Sequence, residues 1–205
     1  MSFDSPFQRF PTLRTKRLTL RQLRPSDADN LFRNYSDPRV TRQLGIVPHR
    51  MLEETHDFLV DVQSWYRNQQ VLRWAMALHD DDDNLIGTLG FHQFDFGARK
   101  AEMGYELSPD YWGYGYMSEA VIAIMDYGFY TMGLQRIEAG TDGINERSQR
   151  LLRRLGFKLE GCLRRRSYYP HTGELWDEYW FGMLNDEWDA LRKAKFKKDH
   201  EDHAT

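Results

Sequence analysis

The stretch that decides the fold lies at residues 109–120 and reads Pro109-Asp110-Tyr111-Trp112-Gly113-Tyr114-Gly115-Tyr116-Met117-Ser118-Glu119-Ala120. It lies between a strand-like alternation and a helical pattern. Because glycine has no Cβ, its backbone approaches a ligand closely, and the first amides of a helix are unpaired donors at the positive end of its dipole. The stretch therefore predicts an anion site, and phosphate is the usual biological anion.

The strand before this stretch, Ala101–Leu107, carries two candidate catalytic carboxylates. Alternation places Glu102, Gly104 and Glu106 on one face and the larger, mostly apolar residues on the other. At a rise of ~3.3 Å per residue the carboxylates lie ~13 Å apart, too far to share one proton. We expect Glu102 to be a general base, directly or through one water, with Glu106 as the alternate. The other interpretation is that both glutamates face solvent or pair with arginine.

Periodicity along the rest of the chain predicts one mixed α/β domain over residues 13–190. An extension covers residues 1–12, and a charged tail, expected to fray, covers 191–205. Pro38 and Pro48 are expected to bracket a loop. The predicted strands are 17–23, 71–78, 85–94, 101–107, 136–141, 157–167 and 175–184, and a turn is predicted at 80–84. One predicted helix starts at Ala28, and three others cover 51–66, 116–132 and 145–155.

Composition narrows the class of function. A formal net charge of −3 disfavours non-specific binding to nucleic acid or to an anionic membrane. One cysteine excludes an intrachain disulfide framework and fits a reducing compartment. No apolar run approaches the ~20 residues that span a bilayer, so we expect a cytoplasmic protein. The seven histidines show no metal-ligand spacing, and no metal is expected.

Two common phosphate motifs fail at the glycine stretch. A P-loop requires a lysine after its last glycine, and the chain has no such string. The Rossmann fingerprint requires a tight strand-to-helix turn, whereas residues 108–112 intervene before Gly113.

A third motif set fits in order along the chain. It comprises Arg14-Thr15-x-Arg17-Leu18-x-Leu20-Arg21, Asp37-Pro38-x-Val40, the glycine stretch, Asn145-x-x-Ser148-x-x-Leu151-Leu152-x-x-Leu155-Gly156-Phe157, and Glu160-Gly161-x-Leu163-Arg164 with Asp177. This ordered set resembles the GCN5-related N-acetyltransferase (GNAT) family, in particular its ribosomal-protein-alanine acetyltransferase-like (RimJ/RimL-type) branch.

The resemblance implies a central, mostly antiparallel, splayed sheet flanked by helices, with acetyl-CoA as co-substrate. Asn145, which the residues alone explain as a helix N-cap, also contacts the cofactor arm. Ser148 donates to the departing sulfur, although a first-turn serine needs no such role. The pantothenate arm is expected along Tyr105, Glu106 and Leu107, and the pyrophosphate on the backbone of Gly113, Tyr114, Gly115, Tyr116, Met117 and Ser118.

Two positions depart from the family pattern. Asp110 stands where a phosphate donor is common, and a carboxylate cannot donate, so the pyrophosphate relies on backbone amides. Leu152 stands where many relatives carry a tyrosine acid, so that role moves or is dispensed with.

The resulting prediction is an acetyl-CoA-dependent N-acetyltransferase that acts on a primary amine by direct attack on the thioester. A protein N-terminus and a small amine both stay open as acceptors, and so does a homodimer. The alternative is a non-catalytic acyl-CoA-binding or sensing module, which the missing tyrosine makes thinkable.

Overall fold

The computed structural model describes residues 6–201, with side chains through residue 194. Its centre is one eight-stranded sheet in the order β1-β2-β3-β4-β5-β6-β8-β7. The strands are β1 Leu13–Arg14, β2 Leu18–Gln22, β3 Leu72–Leu78, β4 Asp81–Asp95, β5 Lys100–Leu107, β6 Arg136–Asp142, β7 Lys158–Tyr169 and β8 Glu174–Leu184.

Helices cover both faces of this sheet. They are α1 Ala28–Tyr35, α2 Pro38–Leu44, α3 Leu52–Arg67, α4 Tyr116–Asp126, α5 Glu146–Arg154 and α6 Asn185–Glu201. The larger apolar core lies between the sheet and α4, where Trp74, Phe91 and Ile124 are fully buried. A smaller core on the opposite face packs Leu31 of α1 and Leu59 of α3 against Ala75. The expected single mixed α/β domain with helices on both sides of the sheet is confirmed.

The sheet opens at its centre, between β5 and β6. These two strands form the one parallel pair of the described sheet, and their pairing runs only from Lys100↔Arg136 to Glu102↔Glu138. All other neighbouring strands pair antiparallel. Beyond Glu102 the two strands diverge, so Met103–Leu107 has a free edge on the β6 side. This opening confirms the expected splayed sheet and positions the site described below.

Two predicted connections are wrong. The segment after Pro38 is not a loop but helix α2, because the Asp37 carboxylate accepts from the Arg39 amide, Pro38 occupies the first turn and Gly45 ends the helix at φ 66°. The residues 81–83, expected in a turn, begin β4. Register shifts near Ala77 let this acidic segment continue pairing with β3.

Residues outside the expected domain also pack or form regular structure. Phe10 packs edge-on against Trp74, and the indole of Trp74 donates to the Pro11 carbonyl at 2.7 Å. The expected tail from residue 191 begins inside α6, and residues 202–205 lie outside the described part of the chain. Within residues 6–201 no helix is long and apolar enough to cross a membrane.

Candidate active site

A cavity of about 330 Å³ occupies the gap where β5 and β6 diverge. The sheet contributes its walls from both strands, the end of α2 closes one side, and the start of α5 closes another. The lining residues are Gln43, Leu44, Gly45, Met103, Gly104, Tyr105, Gly140, Thr141, Asp142, Asn145, Ser148, Ser167, Tyr168 and Glu178. A cavity with convergent polar groups at a gap in a sheet is a candidate active site.

Glu102 lies where the parallel pairing stops, opposite Glu138 on β6 and His92 on β4. Its side chain is 22% exposed. Burial, together with the nearby carboxylates of Glu178 and Glu138, raises the pKa of Glu102 to about 7, and Lys100 acts in the opposite direction. A carboxyl that titrates near neutral pH is suited to general-base chemistry.

Two glycines make room around this carboxyl. A Cβ built on Gly140 would lie 3.6 Å from the Glu102 Oε1 and 3.0 Å from the Glu178 Oε1. A Cβ built on Gly104 would lie 3.3 Å from the His92 Nε2. Side chains at these two positions would crowd Glu102, Glu178 and His92, so glycine allows these groups to lie close together, and both glycines line the cavity.

His92 is a site residue that sequence reasoning missed. Its Nε2 lies 4.0 Å from the Glu102 Oε1, and burial lowers the pKa of His92 to about 4, with Arg73 adding to the effect. The imidazole is therefore neutral at neutral pH. The pairing of His92 with Glu102 depends on the register between β4 and β5, and a hairpin prediction with an uncertain turn did not provide that register.

Glu106, the alternate base, lies in a different environment. It is buried in an ion pair with Arg73, accepts from Thr88 Oγ1, and accepts from Tyr35 Oη at 3.3 Å. The Arg73 Nε also donates to Thr88 Oγ1 at 2.6 Å. These partners occupy the Glu106 oxygens and link α1 to the sheet, so the carboxylate acts as a structural acceptor.

Tyr105 and Ser148 meet on the other face of β5. Tyr105 Oη lies 2.8 Å from Ser148 Oγ in the first turn of α5. Burial raises the pKa of Tyr105 to about 12, so the phenol keeps its proton at neutral pH. The two hydroxyls form one hydrogen bond in which either can be the donor, and both residues line the cavity.

Asn145 positions Ser148. Its Oδ1 accepts from the Ser148 amide at 3.0 Å, which confirms the N-cap, and its Nδ2 donates to the Gln43 carbonyl of α2 at 3.3 Å. The far end of α5 has a Schellman ending, because Gly156 has φ 91° and the Phe157 amide donates to the Leu152 carbonyl at 3.0 Å. Asn145 thus ties α2 and α5 together beside the cavity.

The glycine stretch forms an open turn before α4. Gly113 has φ 86° and Gly115, the N-cap of α4, has φ 81°, both in the left-handed region that favours glycine. A Cβ at Gly113 would meet nothing within 4 Å, so the backbone borders open space. Among described residues, the first amide of α4 with a backbone acceptor is that of Glu119, which leaves the amides of Tyr116, Met117 and Ser118 as donors. These residues fit a pyrophosphate.

Arg17 holds this turn in place and was not identified as a site residue from sequence. It forms a 2.7 Å ion pair with Glu119 in the first turn of α4 and donates to the Tyr114 carbonyl at 3.0 Å. Its guanidinium also lies 4.3 Å from the centre of the Tyr116 ring. The motif containing Arg17 was recognised as a strand, but its contact with a residue 102 positions away was not visible in the pattern.

The free edge of β5 lies between the two halves of the site. Tyr105, Glu106 and Leu107 pair with β4 on one side and, within residues 6–201, have no strand partner on the β6 side. The Leu107 carbonyl accepts from the Trp112 indole at 2.8 Å, which connects this edge to the glycine turn. An unpaired edge of this kind can take an extended chain with amide groups, and it leads from the glycine turn to the cavity.

A splayed mixed sheet with a glycine turn at a helix N-terminus is typical of acyl-CoA-dependent transferases. The family model described as acetyltransferase (GNAT) domain matches residues 17–158. The chain is 38% identical over 177 residues to the uncharacterized N-acetyltransferase p20 of Bacillus licheniformis, covering 86% of this chain and 98% of that relative. It is also 38% identical over 163 residues to the uncharacterized N-acetyltransferase YoaA of Bacillus subtilis, covering 80% and 92%. The chain belongs to the GNAT family, is an acetyltransferase and uses acetyl-CoA as co-substrate.

Solved structures agree with this assignment. A GNAT acetyltransferase from Bacillus anthracis superposes with a TM-score of 0.72 at 28% identity, covering 86% of this chain and all of that one. YdaF of Bacillus subtilis, provisionally named a ribosomal N-acetyltransferase, is 27% identical and covers 84% of this chain and 94% of its own length. These relatives support the RimJ/RimL-like branch. The spermidine N(1)-acetyltransferase of Escherichia coli is 29% identical over 115 residues, which is 54% of this chain and 60% of that enzyme.

Proposed function

We propose that this enzyme transfers the acetyl group to a primary amine, with Glu102 as the general base. The observation that carries the proposal is the position of Glu102 at the divergence of β5 and β6, next to the cavity-lining Gly140, with a pKa of about 7. The amine approaches on the face of β5 that bears Glu102, and it reaches the thioester through the gap between β5 and β6.

The protonation states suit this role. An α-amine has a pKa of about 7.7–8.0 and a lysine amine one of about 10.4, so a base is required more by the second than by the first. Near neutral pH Glu102 is partly ionised, and it takes the proton of the incoming ammonium directly or through one water. Glu106 supports this assignment by contrast, since Arg73 and Thr88 already occupy its oxygens.

On the opposite face, we assign Ser148 the role of donor to the sulfur that leaves. Acetyl-CoA supplies a thioester, whose thiol leaves readily because its pKa is near 8.5. Either hydroxyl of the Tyr105–Ser148 pair can be the donor, and when Tyr105 donates, it orients the Ser148 hydroxyl and can replace a proton that the serine gives to the sulfur. The help required from these two residues is therefore modest.

Two acceptors remain in competition, a protein N-terminus and a small amine. The provisional name of YdaF favours the first, and the name of the spermidine enzyme favours the second. Both names belong to relatives below 30% identity. Because one fold supports many acceptors, the choice rests on the cavity. A cytoplasmic location and a homodimer stay predictions.

The test is release of free CoA thiol with a panel of amines and N-terminal peptides, for the wild-type enzyme and Glu102→Gln. We expect acceptor-dependent release that falls at least about a hundredfold in the variant, the lower range for a lost general base. Mass-spectrometric profiling of N-terminal and lysine acetylation with and without the enzyme then identifies the acceptor. Tight CoA binding without release on any acceptor would instead support the acyl-CoA-binding or sensing module.

A further inference from the structure

The charges around the acceptor side of the cavity are all of one sign. Asp142 and Glu178 line it, whereas no lysine, arginine or histidine does so among the described residues. The two carboxylates are direct cross-strand partners between β6 and β8. Like charges in opposed positions of neighbouring strands destabilise a sheet. The position of both carboxylates on the cavity wall points to a positively charged group in the cavity that offsets their repulsion.

The helix next to this pair contributes a second, independent negative field. The last two residues of α2, Gln43 and Leu44, and its C-cap Gly45 line the cavity. The Asp142 Oδ2 lies 3.5 Å from the position of a Cβ built on Gly45. The carbonyl end of a helix favours a cation. The amide end of α5 reaches the cavity from the opposite face, beside Tyr105, and thus belongs to the thioester side.

Cations in the vicinity do not neutralise this wall. Lys100 and Arg136 pair with Glu138, outside the cavity lining. The Arg166 Nε lies 3.6 Å from Glu178, but its side chain is 65% exposed, so solvent screens the pair. Asp142 has no ion pair with any residue that the structure describes. The negative charge of Glu178 also acts on Glu102, where it contributes to the raised pKa of that carboxyl.

We propose that the acceptor carries a second positive charge, which Asp142, Glu178 and the end of α2 bind while the reacting nitrogen lies at Glu102. This inference rests on the proposed function and specifies its substrate class. Gly140, which borders Glu102, lies two residues before Asp142 on β6, a spacing of roughly 7 Å. An acceptor with two cationic groups about that far apart fits, and one with a carboxylate in place of the second cation is repelled.

Three isosteric amines test the proposal: 1,5-diaminopentane, pentylamine and 5-aminopentanoate. We expect kcat/KM for the diamine to exceed that for the monoamine by about tenfold or more, with the aminocarboxylate poorest. The ratio of kcat/KM for the diamine to kcat/KM for the monoamine should fall about tenfold in Asp142→Asn and Glu178→Gln. In the wild-type enzyme, KM for the diamine should rise with salt. Glu174→Gln removes the same charge from the same hairpin outside the cavity lining and should keep the wild-type ratio.

Peptides separate the two sources of a dicationic acceptor. If kcat/KM is higher for a peptide starting with Ala-Lys than for one starting with Ala-Glu, and higher than for the diamine, the acceptor is a protein N-terminus. If kcat/KM is higher for the diamine than for both peptides, the acceptor is a small amine. Either result supports the charge pattern. Acetylation of all three amines at similar rates, or a ratio in Asp142→Asn equal to that in Glu174→Gln, overturns it while the proposed transferase function stands. No release with any amine or peptide defeats both.

Discussion

Tyr105 Oη and Ser148 Oγ lie 2.8 Å apart in the cavity wall, on the face of β5 opposite to Glu102. The phenol retains its proton at neutral pH, because burial raises the pKa of Tyr105 to about 12. Glu102, the proposed base, and the hydroxyl pair therefore approach the gap between β5 and β6 from opposite sides. This separation lets one face handle the amine proton and the other the leaving sulfur.

Ser148→Ala should lower kcat by about tenfold, below the usual range for a general acid, because the thiolate is a good leaving group. KM for acetyl-CoA should change little, since the Asn145 cap keeps α5 in place. Steady-state thiol release measures both constants. Tyr105→Phe should give a smaller loss of the same kind, and a Ser148→Ala enzyme with kcat within twofold of wild type would remove the serine from the mechanism.

Glu102→Gln should abolish the acidic limb of the pH–rate profile. In the wild-type enzyme kcat/KM rises as pH increases through about 7, because Glu102 must lose its proton before it can accept one from the amine. The variant has no such group and should show a flat, low profile over that range. An acidic limb that persists unchanged in Glu102→Gln would assign the titration to another residue.

Much of this site follows from local pattern. Alternation correctly placed Glu102 and Glu106 on one face of β5, and the glycine stretch and the Asn145 cap were located from spacing alone. The α2 helix was missed although its signals were present, since Asp37-Pro38 is a cap followed by proline and Gly45 is a typical stop. The prolines were interpreted as loop markers instead.

The remaining features are set by contacts distant in sequence. Whether Glu102 faces His92 and Glu106 faces Arg73 depends on the registers of β3, β4 and β5, which no short window contains. The pairing of Asp142 with Glu178 likewise requires the position of β8 between β6 and β7. Periodicity assigns a face to a residue, but only tertiary pairing assigns its neighbours.

The raised pKa of Glu102 also predicts an effect on stability. Between its ordinary value of 4.5 and about 7, the native carboxyl holds a proton that the unfolded chain has lost. Its contribution to stability is therefore complete below pH 4.5 and is lost as pH rises through about 7, a change of about 3 kcal/mol in the free energy of unfolding.

Urea unfolding at about pH 5 and about pH 8 measures this effect. The gain in stability of Glu102→Gln over wild type should be larger at the higher pH. His92 has the opposite slope, because its lowered pKa makes the native state gain stability as pH rises from about 4 towards 6.5. The comparison with wild type removes that shared term. A difference independent of pH would show that Glu102 titrates normally.

Removing one partner of the buried pair of Arg73 and Glu106 should be strongly destabilising. Arg73→Met leaves the Glu106 carboxylate, whose side chain is 2% exposed, without its cation. We expect a loss of about 3–5 kcal/mol in the free energy of unfolding, as is usual for a buried charge without its partner. Denaturant unfolding measures it. Arg150→Met, which breaks an exposed pair with Glu146, is the control and should cost less than about 1 kcal/mol.

The glycine turn permits a test in which strain and ligand contact are separated. Gly113→Ala places a Cβ at φ 86° in open space, so it strains the backbone by about 1–2 kcal/mol and obstructs whatever approaches the turn. Gly173, in the β7–β8 turn, has φ 74° and equally open surroundings, so Gly173→Ala introduces the same strain outside the cavity lining and the glycine turn. Both variants should lose similar stability.

Their kinetics should differ. Gly113→Ala should raise KM for acetyl-CoA by about tenfold or more, equivalent to about 1.4 kcal/mol of binding, while Gly173→Ala keeps the wild-type value. Isothermal titration with CoA and steady-state thiol release give the two numbers independently. Because the strain is matched, equal KM values in the two variants would mean that the Gly113 backbone does not approach the co-substrate, and the pyrophosphate would then have to bind at the amides of Tyr116, Met117 and Ser118 alone.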